Sequence, residues 1–511
     1  MDNSISTVSM EKIVNLSQRR GFVFPSSEIY GGLSGCWDYG PLGIELKRNI
    51  KQAWWKAMVQ DRDDMVGIES SILMATQVWA ASGHIERMVD PLVECKSCNQ
   101  RFRPDQVLVG EVAKLGFFSA TSHEEYAKKW TQLLKNKGIK SAELKAPLHK
   151  TLEDYLIDTS KIPCPNCGET GSFTASKQFN VMFKTFVGPV ENAASVVYLR
   201  PETAQGMFVN FDNILQTTRK KLPFGIAQQG KSFRNEITTG NFIFRSREFE
   251  QMEMEYFIKP GTDEQWFEYW LNERQNWYVK HGIKRGHLGL LEHEKAKLPH
   301  YGKRVCDITF LYPMGWEEIE GMASRTDFDL RQHTNASGKV LDYYDDETKE
   351  HFTPYVIEPA VGVDRCFLAF MCDAYAEEPD KDETRIVLKF HPSLAPIKAA
   401  ILPLSKKENL AAYAHDIHKD IRGQFMTQYD DTQSIGRRYR RQDEIGTPYC
   451  VTVDFQSLED NRVTVRDRDS MNQIRIPVAE LLKTLTAKLA GEDFLKLPPG
   501  GEVVVAKGKV G

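Results

Sequence analysis

One stretch of this chain gathers more chemistry than any other: Lys231 to Phe257, KSFRNEITTGNFIFRSREFEQMEMEYF. Two apolar runs flank a break at Gly240-Asn241, the pattern of a hairpin with an enlarged loop. Arg234 and Glu236 fall on the first arm; Arg245, Arg247, Glu248, Glu250, Glu253 and Glu255 fall on the second. In an extended strand, Glu248, Glu250, Met252 and Met254 share one face, and Arg247, Phe249, Gln251, Glu253 and Glu255 share the other. A guanidinium, an aromatic plate and carboxylates on one surface suit a planar ligand that is partly anionic and partly cationic. A solvated hairpin with cross-strand ion pairs is the plainer alternative.

The flanking pattern predicts the elements that must hold this hairpin. Met10–Arg20 reads as a helix stopped by Gly21, Ile44–Val59 as an amphipathic helix, and Met65–Met74 as a strand. Gly31 to Gly35 reads as turn chemistry, since its spacing fits neither GxGxxG nor a P-loop. Further strands are expected at Pro223–Gln229, Val305–Phe310, Trp316–Met322 and Tyr355–Ile357, with helices at Thr262–His281 and Val363–Ala374. Strands set between helices without a βαβ rhythm argue for an α+β class, an antiparallel sheet flanked by helices. From about Ile397, strand and helix alternate in a compact α/β unit.

Residues 92–180 read as an insertion. It carries Cys95-Lys96-Ser97-Cys98 and Cys164-Pro165-Asn166-Cys167-Gly168, four thiols that suit a closed structural zinc site or stand as two unrelated pairs. Between them Glu111 to Lys150 is Lys-rich and helical in tone, a solvated surface or one that lies against RNA. In the last unit, Arg437-Arg438-Tyr439-Arg440-Arg441 is either an RNA-loop reader or a solvated basic helix.

With 511 residues, 41% hydrophobic and 27% charged, the chain has length for three or four domains with sizeable cores. A net charge of −4 excludes indiscriminate coating of nucleic acid and leaves RNA contact to local basic patches. No apolar run approaches the roughly 20 residues that span a bilayer, so no membrane partner is expected. Met1 to Glu11 is polar, without a signal-peptide core. The expected compartment is the cytoplasm, where the nine cysteines mostly stay reduced.

Phe233-Arg234-Asn235-Glu236 with Phe244-Arg245-Ser246-Arg247-Glu248-Phe249 resembles motif 2 of the class II aminoacyl-tRNA synthetases, and Gly362-Val363-Asp364-Arg365 resembles motif 3. Arg200-Pro201-Glu202-Thr203-Ala204-Gln205-Gly206 and Glu248-Phe249-Glu250-Gln251 are most similar to the homodimeric glycyl-tRNA synthetases, over about residues 10 to 480. The resemblance implies a catalytic domain at 1–91 and 181–392, split by the insertion at 92–180, and an anticodon-binding domain at 393–511. Motif 1, the helix and strand that make the dimer contact, follows by position, because its usual proline is not evident.

The resemblance also implies roles. Arg234 bridges the α-phosphate of ATP and the substrate carboxylate, Arg365 takes the γ-phosphate, Glu236 accepts from the adenine amino group and Phe249 stacks on its ring. Arg245 and Arg247 serve pyrophosphate and the tRNA end. Asn235, Phe244, Ser246, Glu248, Ile319, Gly362, Val363 and Asp364 complete the nucleotide site, and Glu318 meets ATP through Mg²⁺. Glycine lies among Glu202, Glu250, Glu253 and Glu358, with Phe249, Gln251, Met252, Pro359, Ala360, Val361, Gly362 and an incoming Arg103. At Ala360 the family often has Ser, so a hydroxyl contact is lost. Arg437, Arg438, Arg440 and Arg441 contact tRNA(Gly), and the four cysteines hold zinc. The rival readings are a class II enzyme for serine, threonine or proline, a non-catalytic RNA-binding relative, and an amide ligase or other adenylate-forming enzyme that uses no tRNA.

Overall fold

The computed structural model describes residues 8–112, 116–121, 123–136, 150–295, 298–299, 301–380 and 383–504. Its organising element is a seven-stranded sheet built from β1 (Met65–Ile68), β2 (Phe224–Phe233), β3 (Glu248–Ile258), β4 (Leu288–Glu292), β5 (Arg304–Tyr312), β6 (Gly315–Thr326) and β7 (Tyr355–Gly362). The spatial order is β4-β5-β6-β7-β3-β2-β1, antiparallel except for the parallel edge pair β1–β2. The hairpin foreseen around Gly240 is β2–β3, in register from Phe224↔Phe257 to Phe233↔Glu248.

One sheet face is covered by α1 (Met10–Arg20), α2 (Pro41–Trp55), α4 (Asp263–Lys280) and α6 (Val363–Ala374), with α3 (Ala204–Phe208) and α5 (Phe328–Ser337) packed elsewhere against the core. Trp54, Trp270, Tyr278, Met252, Met254, Val361 and Phe367 are buried in that layer. Burying aromatic and aliphatic side chains of this size contributes about 1.5–3 kcal/mol each. Gly21 ends α1 in the left-handed conformation, φ 76°, where a Cβ is strained. Gly35 is needed for closeness: a Cβ there would lie 2.3 Å from Thr239 Cγ2, in the hairpin loop. The Gly-rich bend is thus a turn packed against the β2–β3 loop.

Two expectations shift. The helix begins at Pro41 and passes at Lys56–Gln60 into a wider-wound turn. The strand after it ends at Ile68, because Ser70 leaves the ladder to cap Gln228 through its backbone N–H and its hydroxyl.

The C-terminal unit is a six-stranded sheet of β8 (Ala399–Pro403), β9 (Thr427–Tyr429), β10 (Tyr449–Val453), β11 (Arg462–Asp467), β12 (Gln473–Pro477) and β13 (Glu502–Val503), with α7 (Glu408–Ile421), α8 (Ile435–Ile445) and α9 (Val478–Leu489). It has its own core of Ile401, Leu410, Ile417, Val451, Val465 and Leu485. Of the Lys-rich Glu111–Lys150 segment, His123–Asn136 is helical, and residues 137–149 lie outside the described residues.

Candidate active site

On the sheet's other face, α3 and α5 cover one end over Phe224, Ile226, Phe257 and Val356, and beside them lies a cleft of about 310 Å³. Alternation supplies Phe249, Gln251 and Glu253 from β3 and Glu358, Ala360 and Gly362 from β7, and on β6 a bulge opposite Ile308 and Thr309 lets both Glu318 and Gly321 face the cleft. Arg234, Glu236, Phe244, Arg245 and Ser246 enter from the hairpin loop, and Arg365 enters from the start of α6. The two arginines are 131 positions apart in the chain, yet they share this cleft.

Each arginine is held so that part of its guanidinium stays available. Arg234 donates its Nε–H to the Pro201 carbonyl at 3.1 Å, and its Cζ lies 5.4 Å from the Phe249 ring centre. Arg365 donates to the Phe244 carbonyl at 3.3 Å, lies 4.3 Å over the Phe244 ring and pairs with Glu318 at 2.9 Å. Burial alone would raise the Glu318 carboxyl, but Arg365 and Arg234 outweigh it and keep it ionised. A Cβ on Gly321 would stand 3.7 Å from Glu318 Oε1 and 3.8 Å from Asp307 Oδ1, so two carboxylates flank a bare backbone position. Asp307 also accepts from His293 Nε2 at 2.7 Å.

At the far end the lining becomes acidic. Glu202 pairs with His84 Nε2 at 3.2 Å and accepts from Gln205. Burial opposes its ionisation, yet His84 and Arg325 hold its carboxyl far below the usual range. Glu253 accepts from the Thr203 N–H at 3.1 Å and from the Thr203 hydroxyl. Burial, reinforced by Glu202, pushes it up to about 7. Glu358 accepts from Arg325 Nη1 at 2.9 and 3.0 Å; burial nevertheless raises it to about 8.

The structure parts company with the sequence reading at several positions. Glu250 points through the sheet to Lys51 at 2.6 Å and Lys47 at 2.8 Å, the strand's other face. Met252, Ile319 and Val361 are core residues for the same reason of alternation, Val363 is buried as the first residue of α6, and Pro359 is buried outside the lining. Glu248 is exposed and pairs with Lys231. Arg247 ties the Ser34 and Glu236 carbonyls, and Asn235 bonds through its N–H to Val181. Arg103 is held by Asp90 and Asp105 at 2.7 Å each, so it is not free to reach glycine. Asp364 lines the cleft but is spoken for by the Tyr39 hydroxyl, Lys47 and the Glu250 N–H, and so anchors α6 to β3.

The arginine run in α8 is also redirected. Arg438 is buried and donates to the Pro403 and Asp430 carbonyls. Arg440 pairs with Asp380 and Asp443, and Arg441 with Asp430. Arg437 alone of the four is exposed. Residues the sequence reading missed are His84, Arg325, Tyr301, His293 and Asp307; only the glutamates they serve were visible as a pattern.

The four cysteines do come together, with Cys95–Cys167 sulfurs 3.7 Å apart and Cys98–Cys164 sulfurs 3.8 Å apart. Each knuckle turns on a left-handed residue, Asn99 or Gly168. A tetrahedron with metal–sulfur bonds of about 2.3 Å has edges of about 3.8 Å, so the spacing fits zinc.

An antiparallel sheet carrying two arginines and an acidic end defines a class II aminoacyl-tRNA synthetase core. Residues 187–375 match the family "tRNA synthetase class II core domain (G, H, P, S and T)" and residues 398–488 match "Anticodon binding domain". The chain is 52% identical over 482 residues to the glycine–tRNA ligase of Caldanaerobacter subterraneus subsp. tengcongensis, covering 94% of this chain and 99% of the relative. It is 49% identical to that of Thermobifida fusca over 94% of this chain and 98% of the relative. To that of Geobacillus kaustophilus it is 52% identical over 94% and 99%. The chain belongs to the glycine–tRNA ligase family.

Proposed function

We propose that this protein joins glycine to ATP as glycyl-adenylate and passes the glycyl group to the 3′ end of tRNA(Gly). The observation that carries the reading is the convergence of Arg234 and Arg365 on a cleft that ends in Glu202, Glu253 and Glu358. The glycine carboxylate attacks the α-phosphorus, and pyrophosphate leaves. Arg234 neutralises the charge that spreads over the phosphate oxygens and holds the carboxylate beside it. Arg365 holds the γ-phosphate, Phe249 stacks on adenine and Glu236 accepts from its amino group. The chain offers no protein nucleophile a role here; positioning and electrostatics do the work.

Glycine has no side chain to grip, so selection falls to exclusion. The acidic end takes the ammonium group, and Ala360, Met322 and Ala323 crowd the α-carbon. An added methyl costs about 1–3 kcal/mol in such a pocket. Glu318 and Asp307 would hold Mg²⁺, which supplies charge neutralisation to the phosphates. The four thiols would hold structural zinc and fold the insertion. The domain division 1–91, 92–180, 181–392 and 393–511, the homodimer and the cytoplasmic location are part of the same reading. RNA contact in the last domain falls to exposed Arg437 with neighbours other than the rest of its run.

Charging of total tRNA with each of the twenty amino acids tests the assignment: glycine alone should be transferred. Arg234→Ala should abolish glycine-dependent ATP–pyrophosphate exchange with the circular dichroism spectrum unchanged; near-normal exchange would refute its role.

A further inference from the structure

Behind the lining of the cleft stands one more acid. Glu255 on β3 is fully buried, and among the described residues neither of its oxygens has a hydrogen-bond partner. One oxygen from each of Glu253, Glu255 and Glu358 lies within 4.8 Å of the others. Glu255 does not line the cleft, whereas Glu253 and Glu358 do.

The surrounding charges are already committed. Arg325 on β6 gives two hydrogen bonds to Asp329 on α5, at 2.7 and 2.9 Å, before its third N–H reaches Glu358. Arg200 faces Glu253 from a distance but donates to the Lys231 and Ser70 carbonyls. His84 belongs to Glu202, and His333 on α5 belongs to Gln205. Tyr301 closes the remaining side, 3.8 Å over the Arg325 guanidinium. Carboxylates this close and this dry cannot all be ionised.

We propose that the glycine pocket trades a proton for the substrate's ammonium group: Glu255 stays protonated throughout, and the proton shared by Glu253 and Glu358 in the empty pocket leaves to solvent when glycine binds. The inference rests on the glycine reading. Charge balances at the acidic end, where the ammonium group of zwitterionic glycine enters as one proton leaves through the cleft, while its carboxylate is met by Arg234. A neutral Glu255 concentrates the negative charge on the two carboxylates the ligand can touch. Burial drives the acids the same way, pushing Glu253 up to about 7, Glu358 up to about 8 and Glu255 well above the ordinary range. Protons therefore compete with glycine below about pH 8, and its KM falls by up to about tenfold per pH unit on rising toward that value, then levels.

The test uses the full chain. Glycine binding is titrated calorimetrically near pH 7.5, between the values of the two acids, in two buffers of different ionisation enthalpy, alongside the pH dependence of glycine KM in ATP–pyrophosphate exchange. The expected result is close to one proton released per glycine and a KM that falls with pH; no release with a flat KM overturns the proposal. Infrared spectra at neutral pH should contain the carbonyl stretch of a protonated carboxyl that Glu255→Gln removes while the KM slope persists. A band unchanged by Glu255→Gln also overturns it. If that variant fails to fold, the wild-type proton count still decides. Exchange that never responds to glycine at any pH would remove the underlying reading, a result distinct from exchange without proton release.

Discussion

Replacing Arg325 by Met isolates the charge accounting of the acidic end. Arg325 is 1% exposed and donates to Asp329 at 2.7 and 2.9 Å and to Glu358 at 2.9 and 3.0 Å. Methionine has similar reach but no donor, so two buried carboxylates lose their cation. Removing one partner of such a cluster costs about 3–5 kcal/mol. At about 2–4 °C per kcal/mol for a domain of this size, the catalytic domain's Tm should fall by roughly 6–20 °C. The pH dependence has a definite sign. Arg325 is what holds the Glu358 carboxyl down against burial, so without the guanidinium it rises above its wild-type value of about 8, and above that pH folding of the variant takes up a proton that folding of the wild type does not. Stability of the variant relative to wild type should improve as pH falls toward about 8 and then level. Unfolding is followed through the fluorescence of buried Trp54, Trp270 and Trp277. A Tm within about 3 °C of wild type, or a deficit that widens in acid, would refute the reasoning.

Phe249→Ala should raise the KM for ATP roughly 2- to 12-fold, the loss of a stacking contact of about 0.5–1.5 kcal/mol, and leave the glycine KM within twofold of wild type. Asp443→Ala on α8 strands Arg385 of the hairpin Tyr375–Asp380/Glu383–Leu388, Arg466 of β11 and Arg440 of α8. It should expose the C-terminal domain to limited proteolysis and cut tRNA charging about tenfold while exchange stays within twofold; a parallel loss of both would point to global unfolding. Arg437→Ala should weaken charging and spare exchange. Metal analysis should find one zinc per chain. Chelation should melt the insertion, reported by protease cleavage between 92 and 180, whereas metal-free protein with an intact insertion would rule the site out.

The class was legible because local chemistry and alternation agree along β2 and β3. Phe249, Gln251 and Glu253 fall on one face of an extended strand whatever surrounds it, and the matched pair of CxxC knuckles announces four thiols at one site. The same alternation puts Glu250 on the opposite face, where family likeness alone suggested a glycine contact; Lys47 and Lys51 of α2 claim it. The arginine run shows the limit more plainly. Helical spacing sets Arg438, Gln442 and Ile445 on one face of α8, but it cannot say that this face is turned inward. What only tertiary structure decided is partnership: His84 for Glu202, Arg325 for Glu358 and nothing for Glu255. An ionisable group's charge depends on solvent and counter-ions brought near by distant segments, and those distances are properties of the packed molecule.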